Sequence, residues 1–229
     1  MDIELKTAQL LVSRICHDLA GGISAVSTGA ELLAEEGGAV EADALALIAS
    51  SAQQSTRRLQ FLRIAFGQGG GQSSEAGDTI AMAELRELTH GFLDGGRVSL
   101  IWENDDFTVS LEAGKLLLNL CLIASESLPR GGVLDVSAVE VEGRLGLAVA
   151  AQGEGARLTP ELHQAMSADV DAQSLTARTV NGHFSAVLAA KLGAELEIQA
   201  QEGHDVRFAA LLPPPIGGVI ERGRNGFKV

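Results

Sequence analysis

Arg14-Ile15-Cys16-His17-Asp18-Leu19 sits in the middle of a long helical repeat and sets the reading of the whole chain. Leu5, Ala8, Val12, Ile15, Leu19, Gly22, Val26, Gly29 and Leu33 recur at alternating steps of three and four, the a/d seam of a heptad helix. In that frame His17 is an f position, pointing straight away from the seam. Asp18, about 100° further round the helix, is a g position on the flank, and Cys16 is an e position expected to be buried. The residues around His17 on the outer face are Ser13, Ala20 and Gly21 one turn away and Leu10 and Ser24 two turns away; only Arg14 adds a charge. A merely solvated face is normally written in Glu and Lys. This face, comprising Leu10, Ser13, Arg14, Ala20, Gly21 and Ser24, reads instead as a docking surface with an imidazole at its centre. A surface histidine on a solvated face is the plainer alternative.

The helix is expected from Asp2 to Glu36, stopped by Gly37-Gly38. A second helix, from Glu41 to Phe66, carries its own seam of Leu45, Ile48, Ala52, Ser55, Leu59, Leu62 and Phe66. Two such helices joined by a short Gly-containing turn form an antiparallel hairpin whose seam is too narrow to bury itself. Pairing two copies across a two-fold axis would complete a four-helix bundle, so a homodimer is expected.

GQGGGQSSEAGD, from Gly67 to Asp78, has the composition of a flexible linker. The chain is therefore divided as a hairpin over 1–67, a linker over 68–78, a second unit over 79–215 and a tail over 216–229. The second unit alternates helices and strands. Helices are expected at Ile80–Leu93, Leu111–Leu128, Pro160–Ala168 and Gly182–Leu192. Strands are expected at Val98–Glu103, Val133–Val141, Leu145–Ala151, Glu195–Gln201 and Val206–Leu212, with a Gly-rich loop after Ala151. This order predicts an α+β chain, the hairpin being followed by an α/β sandwich in which one mixed sheet is covered by helices on one face.

With 229 residues, 46% of them hydrophobic and 21% charged, the composition is that of a globular chain with a real core. The formal charge of −13 argues against a nucleic-acid partner and against an anionic membrane surface. The N-terminus lacks a signal peptide's basic and apolar regions, and the apolar run from Leu116 to Ala124 is broken by Asn119 and far too short to span a bilayer. A cytoplasmic location is expected. The two cysteines do not make a disulfide framework. His90, His163 and His204 have no neighbours at ligand spacing, so no metal site is expected, and His183, after Gly182 at a helix start, reads as a surface or capping residue.

A histidine on a bundle helix, a helical hairpin, a linker and a sandwich make the plan of sensor histidine kinases. Leu11-Val12-Ser13-Arg14-Ile15-Cys16-His17-Asp18-Leu19, Arg58-Leu59-Gln60-Phe61-Leu62-Arg63-Ile64-Ala65-Phe66-Gly67 and Gly153-Glu154-Gly155-Ala156-Arg157-Leu158 more closely resemble the alphaproteobacterial histidine phosphotransferases of the ChpT type. Many relatives carry Asn-Pro shortly after the histidine, where this chain has Gly21-Gly22. The resemblance implies His17 as phosphoacceptor in a two-component phosphorelay of cell-cycle signalling. It implies partners that are receiver domains: that of a hybrid sensor kinase (CckA-like) as donor and those of response regulators (CtrA- and CpdR-like) as acceptors.

Kinases of this plan bind ATP with an asparagine-bearing helix that holds Mg²⁺, an acidic residue for adenine and a Gly-rich lid. Asn119 is present, but the position four residues on is Ile123, which cannot ligate a hard cation. Ala151-Gln152-Gly153-Glu154-Gly155 has the outline of Asp-x-Gly-x-Gly without its aspartate, and Ala151 cannot accept a hydrogen bond from adenine. Thr179-Val180-Asn181-Gly182-His183 offers no Gly-x-Gly phosphate cradle. The unit is expected to bind no nucleotide and to need no cofactor of its own, the Mg²⁺ coming with the partner receiver. The role expected of Asp18 is to orient and activate the imidazole; a flank charge or an inter-helix pair is the alternative. Arg14 is expected to meet an acidic rim on the receiver or to stand in solvent. An ATP-dependent histidine kinase and a non-catalytic receiver-binding scaffold remain as rival readings.

Overall fold

The computed structural model describes residues 5–35, 41–67, 78–167 and 169–214; residues 68–77 of the linker expected at 68–78, the tail expected at 216–229, and the expected helix start at Asp2 and stop at Gly37-Gly38 lie outside the described residues. Helix α1 is Leu5–Glu35 and α2 is Glu41–Phe66, packed antiparallel as a hairpin. Small residues set how closely the two helices approach. A side chain at Gly22 would run into Ser55, and one at Gly29 would lie 2.6 Å from Ile48 Cγ1.

After the hairpin come β1 (Thr79–Ala81), α3 (Met82–Leu93), β2 (Val98–Glu103), β3 (Thr108–Ser110), α4 (Leu111–Glu126), β4 (Gly132–Val141) and β5 (Arg144–Ala156). Then follow α5 (Pro160–Ala165), a 3₁₀ turn at Ala172–Ser174, α6 (Val180–Lys191), β6 (Leu196–Gln201) and β7 (Gly203–Leu212). Five strands form one mixed sheet in the order β2-β4-β5-β7-β6, parallel only between β2 and β4. Inward residues alternate with outward ones, as a one-sided sheet requires. Leu134, Val136 and Ala138 of β4, Leu147, Val149 and Ala151 of β5, and Val206, Phe208 and Ala210 of β7 all turn to the helix side and are buried.

Three expectations are corrected here. Ile80 lies in β1, which pairs with β3 as a separate two-stranded ladder, and the helix starts only at Met82. The Gly-rich stretch after Ala151 is not a loop, since β5 continues through it to Ala156 with an irregularity in its pairing to β7. Glycine is needed at 153 because a Cβ there would meet the Gly131 carbonyl oxygen at 2.5 Å. The last strand begins at Gly203 rather than Val206, so His204 lies within β7.

The first half of the α1 seam also differs. Leu5 and Val12 are 75% and 61% exposed, while Thr7 is buried and Leu10, Leu11, Arg14 and Ile15 are half-buried. The reason is tertiary: this end of α1 touches α6 and the 3₁₀ turn, which lie to one side of the hairpin axis. On α2, Leu45, Ala52 and Leu59, spaced at sevens, stand exposed although they belong to the heptad seam.

Helix α4 is the centre of the molecule. Every residue from Leu111 to Ala124 except Glu112 is buried, which is why its sequence is apolar almost all round. Phe61, Leu62, Ile64 and Ala65, at the end of α2, belong to the same continuous core as α4 and the inner face of the sheet. Phe61 also stacks on Phe92 of α3, ring centroids 4.4 Å apart. No helix among the described residues is long and apolar enough to cross a membrane. Phe61→Ala should cost about 3–5 kcal/mol of stability, read as a lowered denaturant midpoint. Because the core is shared, helical and sheet signals should be lost together in that titration.

Candidate functional site

His17 stands in mid-α1 with its side chain 87% exposed. Around it Ser13, Ala20, Gly21 and Ser24 are also exposed, so the smooth outer face read from the sequence exists. Nothing lies within 4 Å of a Cβ built at Gly21, which leaves that edge open. Two of the expected face residues are elsewhere. Leu10 is half-buried against a small cluster of Ala165, Ala172 and Leu175. Arg14 is turned inward, its side chain only 12% exposed. Cys16 is exposed rather than buried at an e position. These shifts share the cause already given, the rotation of the N-terminal half of α1 toward the sheet unit.

Asp18, 13% exposed, lies one turn beyond Arg14 and accepts from its Nε on both carboxylate oxygens, at 2.9 and 3.1 Å. The His17 Nδ1 lies 3.4 Å from Asp18 Oδ1. Arg14 extends its Nη2 to the Glu126 carboxylate at the end of α4. Neither expectation for Arg14 holds: its charge is spent inside the protein, on one carboxylate of its own helix and one of the sheet unit. A cleft of about 210 Å³ opens beside this pair, lined by Arg14, Asp18, Arg58, Arg97, Leu122 and Glu126 among others. The Arg58 guanidinium lies 5.4 Å from the Phe92 ring centroid. Glu126 and Arg97 carry no signal of a site in the motifs, and Arg58 enters there only as the first residue of a matching segment. The one signal was the spacing of Asn119 and Glu126, seven residues apart and so on one face of α4.

The positions where a kinase would hold Mg-nucleotide do not suit that group. Asn119 is fully buried, and its Nδ2 donates at 2.8 Å to both the Ala65 and the Lys115 carbonyls. The amide nitrogen is thus committed to the end of α2 and to its own helix, while Oδ1 is buried with no partner. Ile123 and Ala151 are buried apolar side chains in the core. At the start of α6, Gly182 abuts Leu162 and Met166, and no phosphate cradle is formed by Thr179–His183. Glu154 pairs with Arg130 on the surface, and His183 Nδ1 meets the Ser167 carbonyl at 3.0 Å. No cluster of metal-ligating side chains occurs among the described residues.

Residues 82–204 match the family described as histidine phosphotransferase C-terminal domain. Over 206 residues the chain is 34% identical to the protein phosphotransferase ChpT of Brucella abortus (strain 2308), covering 90% of this chain and 95% of that one. Its fold is similar to a solved bacterial phosphotransferase, with a TM-score of 0.78 at 31% identity over 92% of this chain and 98% of the other. A weaker likeness, TM-score 0.49 at 14% identity over 85% of this chain and 94% of that one, is to the histidine kinase domain of a blue-light-activated kinase from Erythrobacter litoralis.

The two cysteines should behave oppositely. Burial pushes the Cys121 thiol up to about 12, against a smaller opposing effect of its hydrogen bond with Thr89. A thiol reagent at pH 8 should modify Cys16 quickly and Cys121 only after unfolding. The unfolded Cys121 thiol ionises near its ordinary 9.0 while the folded one keeps its proton to about 12. The unfolded state therefore sheds a proton first, and stability should fall as pH rises above about 9, a slope that Cys121→Ala removes.

Proposed function

The chain belongs to the histidine phosphotransferase family and acts as a phosphotransferase in a two-component relay; from that premise we propose that His17 is the residue that carries the phosphoryl group. The observation that carries this reading is a mostly exposed imidazole with one ring nitrogen beside a fixed carboxylate. A ring protonated on Nδ1 donates to Asp18, and Nε2 is left outward with its lone pair free. Nε2 attacks the phosphorus of an aspartyl phosphate on a receiver domain. The N–P bond forms as the acyl P–O bond breaks, and the receiver's aspartate leaves as carboxylate. The ring gains a positive charge, which the Asp18 carboxylate offsets. In-line transfer of this kind is mainly positioning and charge neutralisation.

Mg²⁺ belongs to the receiver in this scheme, and this chain supplies neither metal nor nucleotide. The buried apolar side chains at 123 and 151 support that reading against an ATP-dependent kinase. The receiver docks on the face of Ser13, Ala20, Gly21 and Ser24. Its donor is the receiver of a hybrid sensor kinase and its acceptors are response regulators, and the protein works in the cytoplasm. The chain works as a homodimer: Leu45, Ala52 and Leu59 on α2, with Val12 and Ile23 on α1, form exposed apolar stripes that a second hairpin would cover as a four-helix bundle.

A receiver phosphorylated by its kinase and mixed with this protein should pass acid-labile label to wild type and none to His17→Ala, and ATP alone should label neither. Asp18→Asn should slow transfer on the order of ten- to a hundredfold. Label from ATP alone would reinstate the kinase. Binding of receivers unchanged by His17→Ala, with no label on wild type, would make the protein a scaffold. Leu59→Glu should convert a dimer to a monomer in light scattering; a monomeric wild type would remove the bundle.

A further inference from the structure

Asn119, Leu122 and Glu126 lie on one stripe of α4, two turns from end to end, and the hairpin is fastened at both ends of it. Asn119 Nδ2 donates to the Ala65 carbonyl of α2 at 2.8 Å, and the Glu126 carboxylate takes the guanidinium of Arg14 on α1. Arg14 in turn grips both oxygens of Asp18, whose Oδ1 is 3.4 Å from His17 Nδ1. A chain of four side chains therefore runs from the sheet unit to the reactive ring.

We propose that Glu126 and Arg14 are positioning residues for phosphotransfer: Glu126 fixes the Arg14 fork, the fork fixes the Asp18 carboxylate, and Asp18 holds the proton of His17 on Nδ1. This rests on the reading of His17 as phosphoacceptor. It gives the sheet unit a task at the histidine that needs no nucleotide. The geometry is selective. Arg14 approaches Asp18 through Nε and Glu126 through Nη2, two different nitrogens of one planar group. An arginine held at both places cannot rotate, whereas an Arg14 held by Asp18 alone swings with it. Arg58 and Arg97 face the same cleft from α2 and from the residue before β2. With Glu126 neutral, they would compete with Arg14 for the Asp18 carboxylate and draw it off the ring. No proton leaves the network during transfer. The Nδ1 proton stays between ring and carboxylate while Nε2 bonds to phosphorus.

The test uses the full-length protein and compares wild type, Glu126→Gln and Arg14→Lys. Glu126 is partly exposed and its amide analogue is the same size, so the fold should hold; equal melting temperatures verify this. Long-range ¹H–¹⁵N spectra of the imidazole, above the pH at which the ring is neutral, read which nitrogen carries the proton. Wild type should show the Nδ1–H tautomer at His17, and Glu126→Gln and Arg14→Lys should both shift it toward the Nε2–H form. With a phosphorylated receiver as donor, both variants should lower kcat on the order of tenfold and leave KM for the receiver unchanged. A wild-type tautomer and kcat in Glu126→Gln, with His17→Ala still unlabelled, would overturn the positioning role and leave the phosphoacceptor standing. A raised KM at constant kcat would also overturn it, making Glu126 a receiver contact. Label persisting on His17→Ala would instead overturn the phosphoacceptor reading.

Discussion

The structure depends on a helix that cannot reach water. Residues 113–124 of α4 are buried without interruption, so any polar group on it must find its partner inside the protein or cost about 1–3 kcal/mol unpaired. Asn119 meets the donor half of that requirement through Nδ2, which bonds the backbone of α2 across a sequence distance of 54 residues, while its Oδ1 is buried without a partner. The end of α2 is held against α4 by that bond and by Phe61, Leu62, Ile64 and Ala65 in the common core. Once α2 is fixed, α1 follows as its antiparallel partner, and His17 is carried to a defined place beside the sheet unit. The same buried helix thus decides where the hairpin sits and which side of α1 is left open.

The open side and the closed side of α1 divide the labour. The exposed face is small and smooth, with Ser13, Ala20, Gly21 and Ser24 around the imidazole. The closed side carries the charges, Arg14 and Asp18, at about an eighth exposed. A carboxylate kept partly out of water holds its direction better than one on a solvated flank, where an ion pair is worth little. A partner could then approach the histidine without meeting a charge that belongs to this chain's own network. The cleft beside this face is lined by Arg14, Arg58 and Arg97 together with Asp18 and Glu126.

The hairpin, the mixed sheet and the solitary outward position of His17 were legible because each is written in periodicity: three-and-four spacing in α1 and α2, two-residue alternation in β4, β5 and β7. The two short strands β1 and β3 were not legible, since three residues hold too little pattern to separate them from a helix start. Gly153-Glu154-Gly155 read as a loop because glycine weakens any strand; only the nearness of the Gly131 backbone explains why it stays in β5. The rotation of Leu10, Arg14 and Cys16 relative to the ideal heptad was also hidden. It is imposed by α6 and the residues around Leu175, more than 150 positions away in the chain. The spacing of Glu126 from Asn119 placed it on one face of α4, but its significance lies in a contact between α4 and α1 that no local pattern announces.

The central claim, that His17 receives the phosphoryl group on the nitrogen turned away from Asp18, is tested most directly by ³¹P NMR of the full-length protein after transfer from a phosphorylated receiver, at neutral to alkaline pH. The account predicts a phosphoramidate resonance coupled to the His17 ring, with phosphorus on Nε2. A resonance assigned to Nδ1, to another histidine or to an acyl phosphate would contradict it.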